Sequence, residues 1–391
     1  TLVQEMLSKM SSFAQESFSG IAVIKSYNLQ MQSASDFNSL ATESYNKNMD
    51  LVKVQAWFFP LMILLIGCSN LIVIFVGGNQ YIQGTLEIGV LAEFIIYVNM
   101  LTWPVAVVGW ITSIVQQAEA SQKRINAFLE EQPEIESGKG VDQKIVGNLE
   151  FENVSLKYPE TGINALNKVN LSISKGSTLG IIGNIGSGKS TLLDTLLRLY
   201  GPTEGTITLD GRDLKEYRLD ELRSAIGYVP QNAFLFSESI EDNIRFGNPD
   251  ATDKAIQSIA KKAVVHNNIV KFKEGYKTLL GERGVTLSGG QIQRVSIARA
   301  LIKDPQILLF DDCLSAVDTD TEEEILKHLK SLTKNKTTLI VSHRISSLKH
   351  ADQIVVFKNG KIVQQGQHTD LIEVEGYYRE LFEIQKANSS K

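Results

Sequence analysis

Between Lys53 and Glu87 the chain carries no charged side chain, and Ala56–Gly78, AWFFPLMILLIGCSNLIVIFVGG, is almost wholly apolar. Backbone in hydrocarbon must satisfy its own polar groups, so a run like this folds as a helix. At ~1.5 Å per residue it reaches roughly 34 Å, enough to cross a hydrocarbon core of about 30 Å. A second charge-free run, Phe94–Ala118, opens FIIYVNMLTWPVAVVGWITSIV and is also long enough. These runs predict membrane spans over about 54–78 and 88–115. Buried core helices of a soluble protein are the alternative, but such helices rarely stay free of charge this long. Pro60 and Pro104 lie inside the runs, which membrane helices tolerate when neighbours satisfy the freed carbonyls. Lys47 and Lys53 precede the first run, Lys123 and Arg124 follow the second, and the connection NQYIQGTLEIGVLAE has no basic residue. The positive-inside tendency therefore puts both flanks in the cytoplasm.

Residues 1–50 are polar and helix-compatible, with Gly20 as the obvious break, so SSFAQESFSG (Ser11–Gly20) is expected to be a short helix ending there. The chain begins at Thr1 inside helical sequence and is expected to be part of a longer polypeptide. Helical character persists to about 130, and EEQPEIESGKGVDQK then mixes Pro, Gly and charge, predicting a linker over 131–146. From about Gly147 short apolar runs alternate with longer amphipathic ones, the pattern of an α/β domain with a partly parallel sheet. That domain is expected over 147–386, followed by a polar tail at 387–391. A net charge of −5 without a basic stripe argues against a nucleic-acid partner. The two cysteines, Cys68 and Cys313, suggest neither a disulfide framework nor a metal site. No signal peptide is visible at the N-terminus.

An apolar strand, Leu179–Ile182, leads into Gly183-Asn-Ile-Gly-Ser-Gly-Lys-Ser190, and an amphipathic helix follows. This is G-x-x-x-x-G-K-[ST] in the strand–loop–helix setting it requires. Gly183, Gly186 and Gly188 let the backbone curl so that the N–H groups from Asn184, Ile185 and Ser187 onward to Thr191 point at phosphate oxygens. The helix adds its positive end. Lys189 is expected to reach the β- and γ-phosphates and Ser190 to bind Mg²⁺. Further on, ILLFDDCLSAVD ends an apolar strand in two adjacent carboxylates, Asp311 and Asp312. A carboxylate there holds Mg²⁺, usually through water, and Asp312 would face the point where water attacks the γ-phosphate. A solvated turn after a strand is the plain alternative.

LSGGQIQRVSIARAL (Leu287–Leu301), placed before the Asp311 strand, resembles the signature of ATP-binding cassette (ABC) proteins. Other matches follow that resemblance. Tyr158 looks like the aromatic that stacks on adenine, Gln231 in GYVPQ like the glutamine that touches Mg²⁺ and the membrane domain, and His343 in IVSHR like the switch histidine. GERG (Gly281–Gly284) resembles an exporter-specific segment, and SAVD (Ser315–Asp318) the aspartate loop carrying Asp318. The N-terminal part resembles the end of an exporter-type half-transporter. That implies a coupling helix at about 11–20, the fifth and sixth membrane helices, then the ATPase, with four earlier helices preceding. The fold class implied is an α-helical transmembrane segment followed by an α/β P-loop NTPase domain.

The resemblance also implies ATP and Mg²⁺ as cofactors, a bilayer location with the ATPase in the cytoplasm of a bacterium, and export of a lipid, drug or other hydrophobic solute. Leu287, Ser288, Gly289, Gly290 and Gln291 would act on ATP bound to a partner. Ser288 and the next N–H groups open a helix and form a second anion site. One chain has one phosphate loop and one signature, so a second half-transporter is implied. In most such ATPases the residue after the Mg²⁺ aspartate is glutamate. Asp312 is one methylene shorter, roughly 1.5 Å of reach, and general-base help is worth about 10²–10⁴ in rate. DDCLSAVD thus resembles the reduced-activity half of asymmetric pairs, which favours a heterodimer. A homodimer with aspartate-assisted hydrolysis is the alternative. An ATP-gated or regulatory subunit and a non-transport cassette ATPase are the competing functions.

Overall fold

The computed structural model describes residues 2–141, 143–281, 287–314, 319–333 and 335–389. It contains two compact units, Thr1–Gln132 and Pro133–Lys391.

The first unit is helical: α1 Leu2–Ser19, α2 Ile21–Ser26, α3 Gln30–Ile82 and α4 Ile88–Leu129. At 53 residues α3 is ~80 Å long, so it exceeds the expected span by its whole polar N-terminal half. Both long helices run unbroken through Pro60 and Pro104. Among the described residues, none in either apolar stretch is buried. A helix that is apolar all round yet uncovered is suited to lipid, not to water. After the Gln83–Glu87 connection α4 turns back against α3, and a Cβ on Gly77 would lie 2.5 Å from the Leu91 side chain. Any side chain at 77 would require the Leu91 methyl to shift.

The short helix expected over Ser11–Gly20 is not a separate element. Nothing in that stretch interrupts α1 before Gly20, so it forms the second half of a helix that starts at Leu2. Gly20 does end α1, its N–H donating to the Glu16 carbonyl at 2.8 Å. The short helix is instead the six-residue α2, closed by Asn28 at φ 55, a left-handed conformation that Asn accepts readily.

The second unit opens with the predicted linker, which is docked, not loose. The N–H groups of Gly138 and Gly140 donate to the carbonyls of Tyr217 (3.1 Å) and Glu216 (3.0 Å), and Ile145 is buried. Main-chain bonds to a distant segment leave no trace in composition. The strands β1 Leu149–Lys157, β2 Asn164–Ile173, β4 Glu204–Leu209 and β5 Arg212–Asp213 form an antiparallel sheet in the order β2-β1-β4-β5. A six-stranded sheet runs β10-β9-β3-β8-β7-β6, with β3 Thr178–Gly183, β6 Ile226–Val229, β7 Ile307–Asp311, β8 Thr337–Val341, β9 Gln353–Lys358 and β10 Lys361–Gly366. It is parallel except at the β10 edge. The helices are α5 Lys189–Leu196, α6 Leu219–Ser224, α7 Ile240–Arg245, α8 Asp253–Lys262, α9 His266–Ile269, α10 Gly289–Ile302, α11 Thr319–Leu332, α12 His368–Leu371 and α13 Tyr377–Ser389.

Strands β7 and β8 are buried along their whole length, and β3 is buried from Leu179 on, which is why they read as continuous apolar runs. Leu179, Leu339 and Leu309 sit level across β3, β8 and β7. That register brings the carboxyl ends of the three strands to one edge. Ligands of open α/β sheets bind outside that edge.

Candidate nucleotide site

The phosphate loop leaves β3 at Gly183 and re-enters order at Lys189, the first residue of α5. Gly188 has φ 100, and a Cβ there would stand 2.3 Å from the Ala165 carbonyl oxygen, so no other residue fits. The loop is pinned from outside by the Gly360 N–H, which donates to the Ser187 carbonyl at 3.0 Å. Lys189 is 6% exposed and folds back over its own loop, donating to the carbonyls of Gly183 (2.9 Å) and Asn184 (2.8 Å). Burial lowers its pKa, and the charges of Asp312 and Asp311 oppose that shift. The Ser187 hydroxyl is buried without a hydrogen-bond partner. An orphaned buried donor beside a masked ammonium fits an anionic guest. Asn184, Ile185 and Gly186 form the exposed tip of the loop.

Tyr158 stands against this loop, its hydroxyl 2.9 Å from Thr191 Oγ1 and its ring edge-on to Tyr200 at 4.8 Å. Asp311, 4% exposed, shares a side-chain hydrogen bond with Ser190. Burial raises its pKa, and Asp312 adds to that, against the Ser190 bond and the charges of Lys189 and His343. Such a carboxylate is ionised most easily when a cation arrives. Ser190 and Asp311 are thus hard oxygen donors of the kind Mg²⁺ takes, together with phosphate oxygens and water.

Asp312 is 7% exposed, with φ 43. Its N–H donates to the Val341 carbonyl at 2.9 Å, and its Oδ1 accepts from the His343 N–H at 3.4 Å. Position 312 is therefore tied both to β8 and to the segment carrying His343. Its left-handed backbone is one that aspartate adopts more readily than most residues. Gln231 is exposed, and its carbonyl accepts a long bond, 3.4 Å, from Gln293 Nε2 on α10.

Ser288 caps α10 in a capping box. Its hydroxyl accepts from the Gln291 N–H at 3.3 Å while its own N–H donates to Gln291 Oε1 at 2.9 Å. Leu287 is buried, whereas Ser288 and Gly289 face solvent and Gly290 is half-buried. Asp318 with the rest of SAVD, and Glu282–Gly284 of GERG, lie outside the described residues.

Sequence reasoning missed Asp194, one turn into α5. Burial and the charge of Asp311 push its carboxyl up to about 6. The folded chain therefore keeps this proton where the unfolded chain has lost it, so its contribution to stability falls as pH rises from about 4 to about 6. Asp194→Asn is expected to stabilise the nucleotide-free, Mg²⁺-free protein at pH 7 by about 1–2 kcal/mol, discounted because the side chain is only half-buried. Melting curves at pH 4 and pH 7 check this, since the gain should vanish at the lower pH.

A phosphate loop, paired carboxylates and a histidine segment meet at one sheet edge, and a polypeptide of membrane-crossing length lies N-terminal to them. This is the plan of a membrane-attached nucleotide-binding cassette. Residues 166–315 match the family model of the ABC transporter and residues 1–105 that of the ABC transporter transmembrane region. The chain is 39% identical over 387 residues to the "Probable multidrug resistance ABC transporter ATP-binding/permease protein YheI" of Bacillus subtilis, covering 99% of this chain and 66% of that protein. It is 38% identical over 389 residues to the "Multidrug resistance-like ATP-binding protein MdlA" of Escherichia coli, covering 100% of this chain and 66% of the relative. Among solved structures, that of a bacterial Atm1-family ABC exporter with ATP bound superposes with a TM-score of 0.88 at 28% identity, covering 98% of this chain and 69% of the other. The protein belongs to the ABC transporter family, and is an integral protein of the bacterial inner membrane with its ATPase domain in the cytoplasm. The chain spans 66% of the length of these curated relatives.

Proposed function

We propose that this chain works as one half of a dimeric, ATP-driven exporter of a hydrophobic solute, a drug or lipid. ATP lies on the phosphate loop, with Tyr158 against the base, Lys189 released from its own carbonyls to the β- and γ-phosphates, and Ser187 given its missing partner. Ser190, Asp311 and the exposed Gln231 would hold Mg²⁺, which would supply charge neutralisation at the phosphates. His343 orients the γ-phosphate and Asp312 faces the attacking water. Asp318 belongs to the aspartate loop on this reading, and the partner's ATP is met by Leu287, Ser288, Gly289, Gly290 and Gln291. The short Asp312 favours a different second half-transporter that supplies the stronger base, with a homodimer as the other arrangement. The helix that passes cassette motion to the membrane is α2 on this reading.

What carries the reading is the convergence of Lys189, Asp311, Asp312 and His343 at one sheet edge, in a chain whose relatives include multidrug-resistance proteins. Inverted membrane vesicles holding the assembled transporter provide the test. With MgATP they are expected to accumulate a lipophilic bisbenzimide dye, and Lys189→Ala is expected to stop it. Nucleotide-gated ionic current without dye uptake would replace the exporter with a channel or regulatory subunit.

A further inference from the structure

The segment that carries His343 is held from two sides by groups that the reading above does not use. On one side Glu322 of α11, 1% exposed, takes the Arg344 guanidinium at 2.5 Å together with the hydroxyls of Ser346 (3.2 Å) and Ser347. On the other side is Gln385, near the end of α13. The Ile345 N–H donates to its Oε1 at 2.9 Å, and its Nε2 donates to the His343 carbonyl at 2.7 Å. One side-chain amide thus pairs with a main-chain carbonyl and with the N–H two residues on, as one rung of a β-ladder would. The stretch between β8 and β9 has no ladder of its own, so this rung sets the backbone from which the His343 imidazole hangs. The anchor is itself fixed. Tyr378 of α13 is fully buried, with its hydroxyl 2.7 Å from His368 Nδ1.

We propose that Gln385 is a positioning residue for His343, so that the seating of α13 governs how strongly this chain's site prefers a triphosphate over a diphosphate. The inference rests on the γ-phosphate role given to His343 above. Its signature is selective. A group that only holds the domain together affects ATP and ADP alike, whereas one that aims His343 affects ATP alone.

The assembled transporter, photolabelled with azido-ATP and resolved by chain, reads this directly through competition by ATP and by ADP. Gln385→Leu is expected to weaken ATP on the order of tenfold while ADP stays within about twofold. His343→Ala is expected to do the same, and the double variant to do no more than either, as for residues acting as a unit. Gln385→Glu keeps the acceptor for the Ile345 N–H and is expected to fall between; it also serves if the leucine variant does not assemble. Equal losses for ATP and ADP, no loss, or additive losses in the double variant overturn the proposal. If the unaltered chain does not prefer ATP to ADP, the role given to His343 is what fails. Hydrogen exchange at the Ile345 amide then decides for Gln385: acceleration in Gln385→Leu supports the clamp, and an unchanged rate overturns it.

Discussion

Asp312→Glu is expected to raise ATP turnover at this chain's own site by about ten- to a hundredfold, measured as phosphate release from the assembled transporter. Two effects compete. The added methylene returns roughly 1.5 Å of reach toward the attacking water, and positioned general-base help is worth about 10²–10⁴ in rate, or about 3–5 kcal/mol of barrier. Against it, residue 312 has φ 43, and a left-handed backbone costs roughly 1–2 kcal/mol for a side chain that cannot bond locally as aspartate does. The Asp312 carboxylate accepts the His343 N–H, a contact that a longer side chain aimed at water gives up. The backbone cost falls mainly on stability and the gain falls on the barrier, so the rate should rise while the melting temperature drops. The homodimer predicts otherwise: brisk turnover by this chain alone, a collapse with Asp312→Ala, and little change with glutamate. That pattern would sink the asymmetric assignment.

How far such residues can be read from sequence depends on the range of the interaction that defines them. The phosphate loop was legible because its chemistry is local: Gly188 at φ 100, Lys189 and Ser190 lie within three positions, and their spacing alone brings them together. The burial of Asp311 was legible because it closes a continuous apolar run, and a carboxylate there is costly unless it is paired. Two helices long and apolar enough to cross a membrane were legible from absence of charge, but the helix holding the first apolar run starts 24 residues before residue 54, at Gln30, because nothing breaks its polar half. The short helix was placed ten residues too early for a related reason. Gly20 is as good a stop as a start, and only the φ of Asn28 shows which side holds the separate helix. Asp194, Glu322 and Gln385 were not legible. Each is an ordinary polar residue on an amphipathic helix, and its role comes from a partner 22 to 117 positions away: Arg344 for Glu322, His343 for Gln385, Asp311 for Asp194.

Ser288→Arg is expected to lower turnover at the partner's site more than a hundredfold while this chain still binds ATP at Lys189. The Ser288 hydroxyl and the N–H groups of Gly289 and Gly290 form the positive end of a 14-residue helix, and Ser288 and Gly289 lie open to solvent. Filling that end with a guanidinium removes room for a γ-phosphate, whatever charge it adds. The fold should survive. An N-cap lost from one helix costs about 1 kcal/mol, and Leu287 stays buried beneath it. Ser288→Ala separates the two contributions: it forfeits the capping box but leaves the space, and should cost turnover only about tenfold. The discriminating measurement is again photolabelling resolved by chain. Trapped nucleotide should disappear from the partner and persist here. If Ser288→Arg instead empties this chain's own phosphate loop, signature and loop serve the same nucleotide within one polypeptide, and no second subunit is needed to complete the site. If both chains lose nucleotide equally and prove identical, the dimer is symmetric, and Asp312 must then be a working base despite its short reach.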